Sequence, residues 1–320
     1  SGGGLYVDRD NGVALTLDSC TFTGNSASDG GGIFVNTFNH FVTLFSCTFS
    51  GNTVTGIGGG LYIGSENPYT LLSSCSFAGN TAAYAGGFYI LSDNLAMTLK
   101  NCTFTENSAF IMGGGMYINV DNADLSLTNC DFTGNFAISG SGGGIFFRVD
   151  NEAVLLTGCV FKYNSAFVDG GGLFVNSEND EMQLISCAFE VNVANNNGGG
   201  LHVNSAHHHM ILALCNFSSN TARYYGGGLY VNSDNDDMDV TSCTFKENTA
   251  HLHGGGMYIG SNNWDMIMAD MTFTGNVADG DGGALSMVFD NFHISVSDSV
   301  FYNNRAGVAG ELSLCLCPPL

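Results

Sequence analysis

Apolar residues in this chain alternate with polar ones over short runs, and after each run the alternation resets. Residues 93 to 120 show one full cycle. Asp93-Asn94 reads as a turn pair. Met97 and Leu99 then alternate with polar neighbours, the period of a half-buried strand. Lys100-Asn101 shifts the phase by one and marks a corner. Cys102 and Phe104 point inward, with Thr103 and Thr105 outward. Glu106-Asn107-Ser108-Ala109 reads as a second turn. Gly113-Gly114-Gly115 leads into a third strand with Met116 and Ile118 inward and Tyr117 outward, and Asn122 opens the next cycle.

The cycle recurs along the whole chain. Phe22, Phe49, Phe77, Phe104, Phe132, Phe161, Phe189, Phe217, Phe245, Phe273 and Phe301 lie 27 to 29 residues apart, and each has an Asn three positions later, from Asn25 to Asn304. Self-similarity at such a period is the signature of a solenoid. Each strand then pairs with its counterpart one repeat later, and parallel crossovers are right-handed. The pattern predicts an all-β, right-handed parallel β-helix of about eleven coils of about 28 residues, with three parallel sheets. Coils about 4.8 Å apart make a rod roughly 50 Å long. No composition shift interrupts the repeat, so residues 1–320 read as one domain, a segment of a longer protein or fibre. Its third-strand motif stands at both ends, at Gly2-Gly3-Gly4-Leu5-Tyr6-Val7 and Gly310-Glu311-Leu312-Ser313-Leu314, and predicts end-to-end continuation by a second copy or by neighbouring repeats.

The columns have physical reasons. A buried Asn must satisfy its carbonyl and both amide hydrogens, and identical Asn side chains one strand spacing apart bond to each other as stacked amide ladders do. Gly triplets suit positive φ or close backbone approach. Nine Cys form one column: Cys20, Cys47, Cys75, Cys102, Cys130, Cys159, Cys187, Cys215 and Cys243. Met271 and Ser299 continue it, and no CxxC spacing occurs, so the column reads as buried small apolar groups. In-register coils hold Cβ atoms too far apart for easy disulfides, which favours a reduced ladder. Cys315 and Cys317 stand outside that column.

Charge removes several function classes. Seven Lys plus Arg against 29 Asp plus Glu give a net charge of −22. A nucleic-acid binder needs a basic stripe, and an anionic membrane repels such a surface. No apolar run approaches the roughly 18 residues of a membrane-spanning helix. The expected partners are therefore copies of the chain or its neighbouring repeats, other surface proteins or glycans, with no nucleic acid and no membrane insertion.

Phe-x-x-Asn followed by Gly-Gly-Ala-hydrophobic resembles the repeats of the chlamydial polymorphic outer-membrane proteins, within the pectin-lyase-like right-handed β-helix superfamily. The first half stands in all eleven coils; the second is literal at Gly282-Gly283-Ala284-Leu285 and elsewhere mostly Gly-Gly-Gly-hydrophobic, as at Gly170-Gly171-Gly172-Leu173. The resemblance implies an extracellular or cell-surface setting and an adhesive role. Lyase and hydrolase members of the superfamily cut polysaccharides, but such chemistry needs converging carboxylates or a basic residue on one strand face. The seven basic residues are scattered and the period barely varies. The sequence therefore reads as a non-enzymatic structural or adhesive solenoid; a polysaccharide-active lyase or hydrolase and a Ca-dependent or glycan-binding module are the alternatives.

Two columns are candidate sites. Tyr6, Phe34, Tyr62, Tyr89, Tyr117, Phe146, Phe174, His202, Tyr230 and Tyr258 face away from the core, either as cross-coil stacking that stiffens the sheet or as a contact stripe. Acids gather in the turn after the third strand at Glu66, Asp93, Asp121, Asp150, Glu178, Asp234 and Asp290, an acidic edge once stacked. Beside it Glu181, His209, Asp237 and Asp265 align in register, next to Asp180, His208 and Asp236. Oxygen ligands there favour Ca²⁺ and His a transition metal, while the plain alternative is His relieving like-charge repulsion.

Overall fold

The computed structural model describes residues 2–9, 14–308 and 310 and the strand backbone of 312–314. Cys315 and Cys317, and Glu311 of the terminal motif, lie outside them. The chain winds as a parallel β-solenoid whose strands pair only with their counterparts one coil away. There are four sheets rather than the three expected, one of 12 strands and three of 11. In one coil they contribute Thr98–Lys100 (the Leu strand), Thr103–Thr105 (the Phe strand), Ser108–Met112 (the Ala strand) and Met116–Val120 (the Tyr strand). The additional sheet is the segment read as a turn. In most coils it is two residues, such as Ser165–Ala166, too short for alternation to register in sequence.

Each coil bends at single residues in the left-handed region. Asp93, Ala96, Asn101, Glu106 and Gly113 have φ of 55°, 52°, 51°, 52° and 69°. One such residue between extended segments re-aims the chain and resets the in–out alternation, as Asn101 does between Leu99 and Cys102. A side chain with a Cβ pays about 1 kcal/mol or more to sit there. The parallel pairing on either side holds it in place. In the Gly triplets the first residue takes the left-handed turn, as Gly170 does at φ 63°. The third lies under the next coil: a Cβ on Gly172 would stand 2.6 Å from the Gly200 carbonyl oxygen.

The core is a set of ladders. Met97, Leu99, Cys102, Phe104, Met116 and Ile118 are all fully buried, as the alternation requires. The Phe rings stack face to face, with centroid separations of 4.6 Å for Phe104–Phe132 and 4.8 Å for Phe161–Phe189. The nine column thiols are free. Each buried one donates to carbonyls, as Cys159 Sγ does to Leu127 O at 3.5 Å. Burial pushes the Cys47 thiol up to about 11, so it stays protonated and unreactive at neutral pH.

Asparagine ties the coils together. The backbone N–H and side-chain Nδ2 of Asn107 both donate to Asn135 Oδ1, at 3.0 Å each, and the second Nδ2 hydrogen goes to Phe77 O at 2.8 Å. Asn164 repeats this with Asn192 and Phe132. Every donor and acceptor of a fully buried amide is used. A second ladder runs through Asn94, Asn122, Asn151 and Asn179 at the turn before the Leu strand. His207 occupies its next position, accepting from Asn179 N at 3.1 Å and donating its own N–H to Asn235 Oδ1. The ladder then resumes from Asn235 to Asn263 and Asn291.

His207 is fully buried, with no partner for Nε2. Burial lowers its pKa from 6.5 to about 4. The fold thus holds it neutral while the unfolded chain takes up a proton below pH ~6.5. Its contribution to stability is intact above that pH and is lost as pH falls toward 4. His207→Asn is therefore expected to raise stability, with a gain over the wild type that grows between pH 6.5 and 4 in parallel denaturant titrations.

Phe161→Ala is expected to cost about 3–5 kcal/mol. Asn164→Ala removes the acceptor of the Asn135 N–H and of one Asn135 Nδ2 hydrogen and is expected to cost about 1–3 kcal/mol for each group left unpaired. Urea unfolding of both variants checks the two figures.

Candidate functional site

The outward column of the Tyr sheet stacks as alternation predicts, with centroids 5.1 Å apart for Tyr89–Tyr117, 5.0 Å for Tyr117–Phe146 and 5.0 Å for Phe146–Phe174. It is not an open stripe. Tyr62, Tyr89, Tyr117, Phe146, Phe174, His202 and Tyr258 are buried, Phe34 and Tyr230 half-buried, and only Tyr6 is exposed. The segment entering each Gly turn folds over the outer face. Tyr84 meets Tyr117 edge-on at 5.6 Å and Tyr225 lies 4.7 Å from Tyr258, with Ile57 and Met112 also packed there. Alternation along a strand tells which way a side chain points, not what a neighbouring loop lays over it. The column is a second apolar core, and burial raises the Tyr62 and Tyr117 hydroxyls to about 12. His202 interrupts it between Phe174 and Tyr230, its Nδ1 3.6 Å from Asp169 Oδ1.

The acidic edge forms as expected. Glu66, Asp93, Asp121, Asp150, Glu178, Asp234 and Asp290 all take left-handed corners with φ between 53° and 59°. Asp readily adopts that conformation, which gives the column a backbone reason independent of any ligand. Glu66, Asp93 and Asp121 line a concavity of about 360 Å³ with Phe38, His40 and Leu95. The Asp121 carboxyl is raised by burial and then by the charges of Asp93 and Asp150.

The proposed cation column is rearranged. Asp237 and Asp265 approach Asp236, with one ligand atom of each within 4.8 Å of the others. His209 Nδ1 lies 3.2 Å from Asp237 Oδ2, and His293 Nδ1 2.9 Å from Asp265 Oδ1. His208 Nδ1 stands 3.7 Å from Asp236, and its backbone N–H donates to Asp180 Oδ1. Exposed Glu181 is not in the three-carboxylate group. Three carboxylates at this separation can hold one hard cation. The same geometry serves as His–Asp pairing that offsets stacked negative charge, repeated at His251–Asp279 and His253–Asp281.

A surface that sequence reasoning passed over lies on the Ala sheet. A groove of about 820 Å³ runs along the rod from Ser108 to His251. Phe136, Ile138, Phe167 and Val193 line it and are between 44% and 59% exposed. Ala137, Ala166 and Ala194 form its floor, and Arg223 stands at the far end. The signal was present as large apolar residues one position either side of the buried Ala, but reading that segment as a turn gave them no face.

With the geometry established, the comparisons are consistent. The model of the right-handed beta helix region matches residues 3–189, more than half the chain, and the chain belongs to that family. The Chlamydia polymorphic membrane protein repeat matches residues 270–287. No curated protein matches the chain. The fold is shared with PfbA, a surface adhesin of Streptococcus pneumoniae, at TM-score 0.50 and 10% identity over 92% of this chain and 82% of that one. The Dettilon tailspike protein aligns at TM-score 0.43 and 12% identity, over 94% of this chain and 60% of that one. An α-1,3-glucanase catalytic unit from Streptomyces thermodiastaticus aligns at 0.40 and 10%, over 95% and 63%.

Asp93→Asn removes one of the charges that raise Asp121. It is expected to lower the Asp121 pKa and to leave global stability within about 0.5 kcal/mol or slightly improved. Carboxyl titration by NMR, with Asp93→Glu as the charge-preserving control, checks both.

Proposed function

We propose that the chain is a non-enzymatic extracellular rod with a structural or adhesive role at a cell surface. The observation that carries this reading is the lining of the groove on the Ala sheet, which is Phe, Ile, Val, Ala, Ser, Thr and Asn with no Asp or Glu, and with one Arg and one His at the end. Hydrolysis or lyase chemistry on polysaccharides needs converging acid and base groups. Many of the acids instead stand at left-handed coil corners, in like-charged columns, and several pair with His. Coil after coil keeps register with its neighbour, which suits an element that spans distance and presents a long side. The polymorphic membrane protein repeat at residues 270–287 and the adhesin role of PfbA support a surface setting. No helix among the described residues is long and apolar enough to cross a membrane.

The test pairs two measurements. Incubated with acidic and neutral polysaccharides, the purified chain is expected to release no oligosaccharide products. Applied to arrays of immobilised glycans and extracellular-matrix proteins, it is expected to be retained on a defined subset. Product release that disappears in Asp93→Asn or Asp121→Asn would replace this reading with a catalytic one centred on the acidic concavity.

A further inference from the structure

We infer that His202, Asp169 and Asn197 form a buried site for one divalent transition-metal ion of the Zn²⁺ type, which pins the segment entering the Gly turn onto the Tyr sheet. The site is separate from the groove and from the acidic edge, and the inference holds whether or not the rod is adhesive.

Buried polar atoms need partners. His202 is 4% exposed, and neither of its ring nitrogens has a hydrogen-bond partner among the described residues. Asn197 Oδ1 is likewise buried and unpartnered. Asp169 Oδ1 joins the two residues. It accepts from the Asn197 N–H at 2.9 Å and lies 3.6 Å from His202 Nδ1. Gly198, next after Asn197, comes so close to the ring that a Cβ on it would stand 2.7 Å from His202 Cβ.

The stack around His202 shows that ring packing does not set its orientation. Tyr89–Tyr117, Tyr117–Phe146, Phe146–Phe174 and Tyr230–Tyr258 are all within 11° of parallel. The imidazole is turned 37° from Phe174 and 46° from Tyr230. The covering segment changes character at the same place. Over aromatic rings it brings Ile57, Tyr84, Met112 and Tyr225, and beside His202 it brings a carboxylate and an amide. The segment is held there by its backbone: Asp169 N donates to Ser141 Oγ at 3.3 Å and Gly170 N to Asn197 O at 3.0 Å.

Spacing selects the occupant. At 3.6 Å, His202 Nδ1 and Asp169 Oδ1 are too far apart for a direct hydrogen bond. They are too close for a water between them, because two hydrogen bonds of about 2.8–2.9 Å span about 4.5 Å or more. Metal bonds of about 2.0–2.2 Å to an imidazole nitrogen and a carboxylate oxygen span about 3.4 Å at a tetrahedral angle and about 3.6 Å at 120°. Imidazole suits Zn²⁺ and its transition-metal neighbours, whereas Ca²⁺ takes about six to eight oxygens, more than this site offers. Asp169 is 18% exposed at its side chain and gives the ion a way in from the outer face. Other His–Asp pairs at similar separation lack this set. His208 and Asp236 are about half exposed, and His253 Nδ1 already accepts from Asp281 N at 2.9 Å.

The experiment is calorimetric titration of the full, chelator-treated chain with Zn²⁺ at neutral pH, read beside thermal unfolding and the His202 imidazole NMR signals. One tight equivalent is expected, with a raised unfolding midpoint and a shifted His202 Nδ1 resonance. His202→Phe restores the ring type of the column, so it is expected to fold and to lose that equivalent. Asp169→Asn keeps an oxygen for the Asn197 N–H and is expected to weaken uptake about tenfold or more. His209→Gln, in the exposed His–Asp pairs, is expected to leave the tight equivalent unchanged. Equal uptake and equal midpoint shift in the wild type and His202→Phe would overturn the proposal, as would His202 signals that Zn²⁺ does not move. No tight uptake by the wild type, the result if ordered water alone serves these atoms, would overturn it too.

Discussion

Register is the constraint on which the rest of the structure depends. Every coil must repeat its predecessor closely enough that each strand meets its counterpart, and the buried Asn ladders are what make a slip expensive. An Asn at the corner after the Phe strand bonds to the next Asn and to the previous coil's Phe carbonyl. A slip of one residue would replace the facing Asn by a flanking residue, most often Gly on one side and Ser or Thr on the other, and cost each amide the carbonyl partner it has in a dry interior. The Phe stack adds contact area but little register information, since rings slide on rings at low cost. The amides are directional and supply it.

Holding register permits features that would otherwise be unfavourable. Non-glycine residues sit in left-handed corners at many positions, and acids share those corners from coil to coil. The second apolar core outside the Tyr sheet depends on the same repetition, because each covering segment sits over a ring that the ladder beneath has already placed. His207 and His202 mark where the ladders were altered without being broken. One replaces an Asn at the cost of a neutral buried ring, and the other replaces an aromatic beside Asp169.

Much of this architecture was legible in the sequence because a period of about 28 residues repeats the same pattern eleven times. The Phe and Asn columns, the inward residues of three strands and the acidic corners could all be placed from spacing. The fourth sheet could not, since two residues such as Thr221–Ala222 carry no alternation. The second Asn ladder was visible in principle as Asn67, Asn94, Asn122, Asn151, Asn179, Asn235, Asn263 and Asn291, but His207 breaks the column and turn residues invite no further question. The covering of Tyr89 or Phe174 was not legible at all, because it depends on where a neighbouring loop lies in space. The groove was hidden for the first of these reasons: Phe136 and Phe167 had no sheet to belong to until the Ala strand was seen.

The central claim is that the amide ladder, more than the apolar stack, holds the coils in register. Residue-resolved hydrogen exchange tests it most directly. The account predicts that the backbone amides of Asn80, Asn107, Asn135, Asn164, Asn192, Asn220 and Asn248, together with their side-chain NH₂ groups, exchange as one block at the rate set by global unfolding. Fast, independent exchange at those positions, with slow exchange confined to the Phe strands, would contradict it.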